Sequence, residues 1–223
     1  IEELDSAAAS HLRYTAPGDY PVAFFNDTVE VLSGSRTLLQ VDLQVLRPIT
    51  AVQELLLAEA LEPVREHVLI GSQAHWNLHG FAARGFRVAF DPELQWHYAP
   101  EREPGLMPAG LGVHGFWDDA PLARIPHATV QEYFEHRVRD LIGLLPPAVE
   151  WMVDIPTLRR MADMGFNLGD RLRESGIELA AWTLRDRGPQ TSAILAELFA
   201  LGVTTVIADD APTVAAYAAT LAP

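Results

Sequence analysis

Asp42 is the first residue of this sequence whose setting indicates chemistry. It lies inside the apolar run LLQVDLQV, where a carboxylate is costly unless it is paired or binds a metal ion. Side chains alternate between the two faces of a strand, so Gln40, Asp42 and Gln44 are expected to share one face. A polar face inside a central strand is typical of the lumen at the catalytic end of a (β/α) barrel. The alternative is an aspartate on a solvent-facing edge strand.

Two adjacent aspartates, Asp209 and Asp210, follow the last apolar strand of the sequence. Two strands, ELAAWTL and VTTVIA, flank one amphipathic helix, TSAILAELFALG. A unit of this length predicts a parallel strand pair with a right-handed crossover. Parallel α/β folds build their sites just past the C-terminal ends of the strands. We therefore expect Asp209 to face a site, and Asp210 to cap the helix PTVAAYAATLA with Pro212 in its first turn.

Histidines are the other candidates for acid–base or metal chemistry. His75 and His79 follow the strand VLIG at i, i+4 spacing, which permits shared metal ligation on a helix. No H-E-x-x-H glutamate accompanies them, and a pair facing the surface or a loop is the alternative. His97, His114 and His127 lie in a Pro/Gly-rich segment. They are interpreted either as lid residues that contact substrate or as ordinary loop residues.

The elements that position these residues alternate between strands and helices. Strands are predicted at 38–46, 68–71, 87–90, 151–153, 178–184 and 203–208, and the longer helices at 52–66, 73–84, 129–145 and 157–175. Such alternation predicts a parallel sheet covered by helices, in a single domain over residues 1–223. Residues 92–128 depart from it and are predicted to form an irregular loop or lid insertion. Asp91, which precedes this insertion, is expected to cap or turn the chain.

Composition excludes several classes of function. The chain has 223 residues, 49% of them hydrophobic, which indicates a sizeable core. Its formal charge of −14 would repel a nucleic-acid backbone. It has no cysteine and no apolar run long enough for a membrane span. We expect a cytoplasmic protein, without excluding export. The opening residue Ile1 predicts a processed or truncated N-terminus, and IEELDSAAA is not a signal peptide.

Several motifs resemble the glycerophosphodiester phosphodiesterase family. The closing segment of that family matches Trp182-Thr183-Leu184, then Gly202-Val203, then Ala208-Asp209 and Pro212. Upstream, PVAFFNDTVEVLSGSRTLLQVDLQ is similar to its leader helix and third strand, GFRVAFDP to a fifth strand, and ADMGFNLGDRLRESGIELAAWTL to the helix before the seventh. The resemblance covers most of the chain. It implies an α/β fold, a (β/α) TIM-type barrel lacking the first two β-α units.

The resemblance also implies an activity, which is the metal-dependent hydrolysis of glycerophosphodiesters to an alcohol and glycerol 3-phosphate. By position, Asp42 would bind the divalent metal, Mg²⁺ or Ca²⁺, and Gln44 stands where the family usually has lysine. Trp182 would line the substrate pocket, although a core aromatic residue is an equal alternative. Arg185 would supply a cation for the substrate phosphate, and Asp209 would face the substrate.

Other motifs of the family do not follow any predicted strand. H-R-G and H-D are absent, and the acidic residues Glu2, Glu3 and Asp5 are interpreted as the solvated face of a polar helix-like segment. Such chemistry needs an acid, a base and a metal. We therefore predict no catalytic residue in this chain, and an activity that depends on residues upstream of Ile1. A non-catalytic phosphodiester-binding or scaffold relative is the alternative, and a barrel hydrolase using the histidine-rich lid is a third.

Overall fold

The computed structural model describes residues 11–13, 20–22, 24–100, 107–126, 128–185 and 188–221. Contacts between Cα atoms group the chain into two compact units, residues 1–39 with 50–68 and residues 40–49 with 69–223. None of the helices within the described ranges combines the length and apolarity needed to span a bilayer.

The described residues of the first unit form two α-helices, α1 (Phe25–Leu32) and α2 (Ala51–Leu61), and a 3-10 helix at Glu62–His67. A capping box begins α2, because Thr50 Oγ1 accepts from the Gln53 backbone amide and Gln53 Oε1 accepts from that of Thr50. The helix predicted at 52–66 ends at Leu61 as an α-helix. It continues as the 3-10 helix, which has Pro63 among its first residues.

The strands form a six-stranded sheet and a two-stranded sheet. The strands are β1 (Leu39–Asp42), β2 (Val68–Ser72), β3 (Arg87–Phe90), β4 (Trp96–His97), β5 (Trp117–Asp118), β6 (Ala148–Asp154), β7 (Glu178–Leu184) and β8 (Thr205–Ala208). The helices are α3 (His79–Ala83), α4 (Val130–Leu144), α5 (Ile155–Asp163), α6 (Leu168–Arg173), α7 (Thr191–Ala200) and α8 (Ala211–Ala219), with 3-10 turns at His75–Asn77, Pro92–Leu94 and Pro121–Arg124.

The sheet has the topology of a partial (β/α) barrel. Its order is β1-β2-β3-β6-β7-β8, which follows the chain, and the pairs from β2 through β8 are parallel. Consecutive parallel strands require crossover connections, most of which are helical here. The predicted α/β fold with a TIM-type strand order is confirmed, with six strands in the described part of the chain.

The helix predicted at 157–175 is wrong, because the structure has two helices there, α5 and α6. Gly165 ends the first with a φ of 81°, a left-handed conformation that favours glycine. Asn167 then begins the second, its side chain accepting from the Asp170 amide at 3.2 Å. The strand predicted at 38–46 is also shorter than expected, ending at Asp42.

The inner face of the sheet is layered. An apolar layer of Leu69, Ala89, Met152 and Ala180 packs with Trp182 and Ile207. Glu150 precedes Met152 by two residues, so it lies on the same face towards the N-terminal ends of the strands. It reaches across β7, where its Oε2 accepts from Thr205 Oγ1 at 3.2 Å. The apolar layer therefore separates this carboxylate from the opposite end of the sheet.

The segment 92–128 contains regular structure. β4 and β5 form a short antiparallel pair, and a buried polar network joins them to α4. Asp118 Oδ2 accepts from Tyr133 Oη at 2.8 Å and lies 2.9 Å from Arg137 Nε. Trp96 Nε1 in turn donates to Tyr133 Oη at 3.0 Å. A fully buried carboxylate is tolerated because these donors surround it.

Candidate functional site

A cavity of about 400 Å³ lies at the C-terminal ends of the parallel strands. It is lined by Gln40, Asp42, Gln44, Gln73, Asp91, Met152, Trp182, Thr183 and Ile207. An adjoining cavity of about 270 Å³ shares Asp42, Gln44, Gln73 and Asp91 with it. This end of a parallel α/β sheet is where such folds place their sites, since the loops that follow the strands converge there.

Asp42 and Gln44 contact each other on the side of the cavity that β1 and the residues after it form. Gln44 Nε2 donates to Asp42 Oδ2 at 3.0 Å, and Gln40, on the same wall, donates to the sulfur of Met152. Asp42 is exposed at the end of β1, so one carboxylate oxygen is oriented by Gln44 and the group stays accessible. The three polar side chains at alternate positions line one cavity, as expected from strand alternation.

Asp91 is the buried carboxyl group of the site, with 7% of its surface exposed. Its Oδ1 accepts from the Glu93 amide at 2.9 Å and so begins the turn Pro92–Leu94, which confirms the predicted cap. Burial raises the pKa of Asp91 well above its ordinary value; neighbouring carboxylates, including Asp42 and Asp154, add to the rise, and the Glu93 amide opposes it.

Sequence reasoning missed that Asp91 also lines the cavity. The available signal was its place directly after β3, because the carboxyl ends of parallel strands meet at one edge of a sheet. Gln73 was also missed, although the same signal was available, because it directly follows β2. It lines both cavities. Its amide donates to the Glu93 carboxylate.

Two more carboxyl groups, those of Glu93 and Asp154, lie close enough to Asp91 to raise its pKa. Burial raises the pKa of Glu93, and the nearby charge of His97 opposes this rise. Burial also raises the pKa of Asp154. The Asp154 side chain caps α5 by accepting from the Thr157 amide. His97 is buried and its Nδ1 lies 2.9 Å from the Glu93 carbonyl oxygen. The described residues that line the larger cavity include no lysine, arginine or histidine, so the surroundings of the cavity are acidic.

Trp182 fits both interpretations made from the sequence. It is partly buried, packs against the apolar layer and also lines the cavity. Within the described ranges its buried Nε1 has no hydrogen-bond partner. Its neighbour in register on β6 is Asp154.

Arg185 and Asp209 form a pair of their own. Arg185 Nε lies 4.0 Å from Asp209 Oδ2, and the two side chains are 81% and 52% exposed. Neither is among the residues that line the cavity. Asp210 caps α8, its Oδ1 accepting from the Thr213 amide at 3.3 Å with Pro212 in the first turn, as predicted. The structure thus brings together Asp42, Gln44 and Trp182 and leaves Arg185 and Asp209 beside each other.

The histidines do not form a metal centre in the described part of the chain. The His75 and His79 rings stand edge to face at 5.8 Å. Burial lowers the pKa of His75, and the nearby charge of His79 lowers it further. The His114 ring lies 5.1 Å from that of Tyr133. His127 and the acidic residues Glu2, Glu3 and Asp5 lie outside the described residues.

The metal predicted at Asp42 needs further ligands. Across the described residues, no three His, Asp or Glu side chains are grouped so that they hold a metal ion. Ca²⁺ takes six to eight oxygen ligands, whereas Mg²⁺ keeps several waters and takes one or two protein carboxylates. Asp42 offers only part of either ligand set, and the described residues do not complete a group of three around it.

Comparison with known proteins identifies the fold. No protein-family model matches the sequence, and no curated protein matches it significantly. The structure is similar to a glycerophosphodiester phosphodiesterase from Parabacteroides distasonis, at a TM-score of 0.59 and 10% identity, covering 100% of this chain and 74% of that one. It is also similar to a glycerophosphoryl diester phosphodiesterase from the same organism, at a TM-score of 0.50 and 14% identity, covering 92% of this chain and 57% of that one. The chain thus spans little more than half of the second protein. The predicted likeness of the fold to this family is confirmed.

Proposed function

We propose that this chain supplies most of the active-site cavity of a metal-dependent phosphodiesterase, which hydrolyses glycerophosphodiesters to an alcohol and glycerol 3-phosphate. The observation that carries the proposal is the cavity at the C-terminal ends of a barrel-type sheet. Asp42, Gln44 and Trp182 line it together, and these are positions that the family resemblance assigns to the metal, the phosphate and the pocket wall. The solved structures of this fold named above support the same class of reaction.

The polar and the apolar side chains that line the cavity have different roles in binding. The side-chain amides of Gln40, Gln44 and Gln73 each donate one hydrogen within the protein, and the second hydrogen of each is the one to donate to a phosphate or hydroxyl oxygen, without adding charge. Trp182, Met152 and Ile207 form the apolar part of the lining, which excludes water from one side of a bound ligand. Because the lining has no cationic side chain within the described residues, the phosphate charge must be neutralised by another group. A divalent metal, when bound, would supply that neutralisation.

A second candidate function is non-catalytic phosphodiester binding on the same fold. It is favoured by the cavity lining, which has no histidine within the described residues, and by the absence of H-R-G and H-D from the sequence. General acid–base catalysis needs such groups within hydrogen-bond reach of the scissile bond. If the phosphodiesterase proposal holds, the acid and the base come from residues other than the described lining of this cavity.

The deciding experiment is an assay of glycerol 3-phosphate release from glycerophosphocholine by the full-length gene product, with Mg²⁺ or Ca²⁺. Asp42→Asn is expected to abolish release, because it removes the charge and keeps the shape. Asp170→Asn is the control, since Asp170 is exposed and paired with Arg173 on α6. Absence of turnover, together with thermal stabilisation by the diester, establishes the binding function instead.

A further inference from the structure

Glu93 contacts three other residues through three different groups. It is half-buried and lies in the 3-10 turn Pro92–Leu94, which follows β3. Its backbone amide donates to Asp91 Oδ1 at 2.9 Å, and its carboxylate accepts from the side-chain amide of Gln73. Its carbonyl oxygen accepts from His97 Nδ1 at 2.9 Å, because a carbonyl group has no hydrogen to donate.

The backbone of Glu93 is held by two buried partners. Asp91 and His97 are each 7% exposed. The Asp91 amide also donates to the Ser72 carbonyl oxygen at 3.1 Å, which ties the turn to the end of β2. The Glu93 carboxylate therefore extends from a backbone that is fixed at both its amide and its carbonyl group.

Gln73 is the cavity residue that this carboxylate reaches. It directly follows β2 and lines both cavities. Its backbone is anchored, since its carbonyl oxygen accepts from the His75 amide at 3.1 Å and the preceding Ser72 Oγ donates to the Leu43 carbonyl oxygen at 2.7 Å. Among the described residues, Glu93 is the hydrogen-bond partner of the Gln73 side chain.

This hydrogen bond selects one orientation of the Gln73 amide. A carboxylate oxygen accepts and does not donate, so the nitrogen of the amide, rather than its oxygen, points towards Glu93. One amide hydrogen is used there, and the second is left for a ligand. A long side chain that is ordered before a ligand binds loses less conformational entropy when the ligand binds.

From these contacts we infer that Glu93 is a positioning residue of the cavity, which orders the Gln73 amide for the oxygen atoms of a bound phosphodiester. The inference rests on the proposed function and extends it to a residue outside the described lining of the two cavities. In this role Glu93 acts through Gln73.

The test compares Glu93→Ala with Glu93→Gln, because both remove the same charge and only glutamine keeps an oxygen that accepts from Gln73. Calorimetry should show glycerol 3-phosphate bound roughly threefold to tenfold more weakly by Glu93→Ala than by Glu93→Gln. In the Gln73→Ala background the same two changes should differ by less than about twofold. Equal affinity of the two single variants overturns the inference, and so does an undiminished difference in the Gln73→Ala background.

A measurement without ligand separates this inference from the proposed function. NMR relaxation of the Gln73 side-chain nitrogen, whose signal is identified by its loss in Gln73→Ala, should show an ordered amide in the unaltered protein and in Glu93→Gln. The amide should be mobile in Glu93→Ala. A mobile amide in the unaltered protein overturns the inference, and that result does not require any Glu93 variant to fold.

The two proposals fail in different ways. An amide that Glu93 orders, in a protein that does not bind glycerol 3-phosphate, contradicts the proposed function and keeps Glu93 as the residue that positions Gln73. Binding of glycerol 3-phosphate by a protein whose Gln73 amide is mobile supports the proposed function and overturns the role of Glu93.

Discussion

Gln44 donates its side-chain amide to Asp42 at 3.0 Å, two residues away on the same wall of the cavity. The family resemblance implies a lysine at the position of Gln44, whose ammonium group would face the phosphate. The amide here orients the carboxylate of Asp42 instead and adds no charge. Glutamine at this position changes the electrostatics of the cavity, because the described lining then has no cationic side chain.

Gln44→Lys should therefore raise the affinity for glycerol 3-phosphate. A charge-assisted hydrogen bond is about twice as strong as a neutral one, so we expect a gain of roughly tenfold at low salt. Calorimetry at two ionic strengths measures it, and the gain should shrink at the higher one. Gln44→Met is the control of similar size without charge. A gain in that variant as well would contradict the electrostatic explanation.

Arg137→Ala should destabilise the protein strongly. Asp118 is fully buried beside the Arg137 guanidinium, and removing one partner of a buried pair costs about 3–5 kcal/mol. Urea unfolding gives the change. The matched control is Arg124→Ala, since Arg124 and Asp119 form an exposed pair at 3.7 Å. That change should cost less than about 1 kcal/mol; equal losses would mean that burial of the pair is not what matters.

Glu150 should make stability fall as pH rises. Burial raises the pKa of Glu150 above the ordinary glutamate value of 4.5, and the nearby charge of Glu178 adds to the rise, while the Thr205 hydrogen bond and Arg87 oppose it. The folded state therefore binds this proton more tightly than the unfolded state. Stability is highest below pH 4.5 as far as this group is concerned, and it declines as pH rises through the folded pKa.

Glu150→Gln removes the ionisable group, so its stability relative to the unaltered protein should increase between pH 5 and pH 8. Urea unfolding of both proteins at the two pH values measures the difference. Glu59→Gln, an exposed position on α2, supplies the control. A constant difference between Glu150→Gln and the unaltered protein across this range would argue that Glu150 does not titrate there.

Gly165→Ala should lower the free energy of unfolding by about 1–2 kcal/mol. Gly165 has a φ of 81°, and a Cβ at this position would meet nothing within 4 Å, so the cost is purely conformational. Gly143 lies within α4 and has equally open space. Gly143→Ala should stabilise the protein by about 0.5–1 kcal/mol. Thermal unfolding of the two variants should show changes of opposite sign.

Local patterns determined much of the fold. The strands at 87–90 and 178–184 have the predicted bounds, and α4 agrees with the helix predicted at 129–145 to within a residue at each end. These elements are decided by apolar periodicity within about a dozen residues. The same reasoning was wrong at 157–175, because one left-handed glycine and one asparagine cap divide an otherwise continuous helical pattern.

Only the tertiary structure decided which polar groups meet. Asp91 was expected to cap a turn and does so, yet packing of β3 between β2 and β6 also makes it a buried wall of the cavity. Glu150 reaches Thr205, 55 residues later in the chain, and Asp118 accepts from Tyr133 on α4 and from the Ala120 amide. Burial and charge depend on neighbours that are distant in the chain. Strand alternation and the family resemblance therefore identified Asp42, Gln44 and Trp182 as candidates, and the folded sheet decided that Asp91 joins them while Arg185 pairs with Asp209.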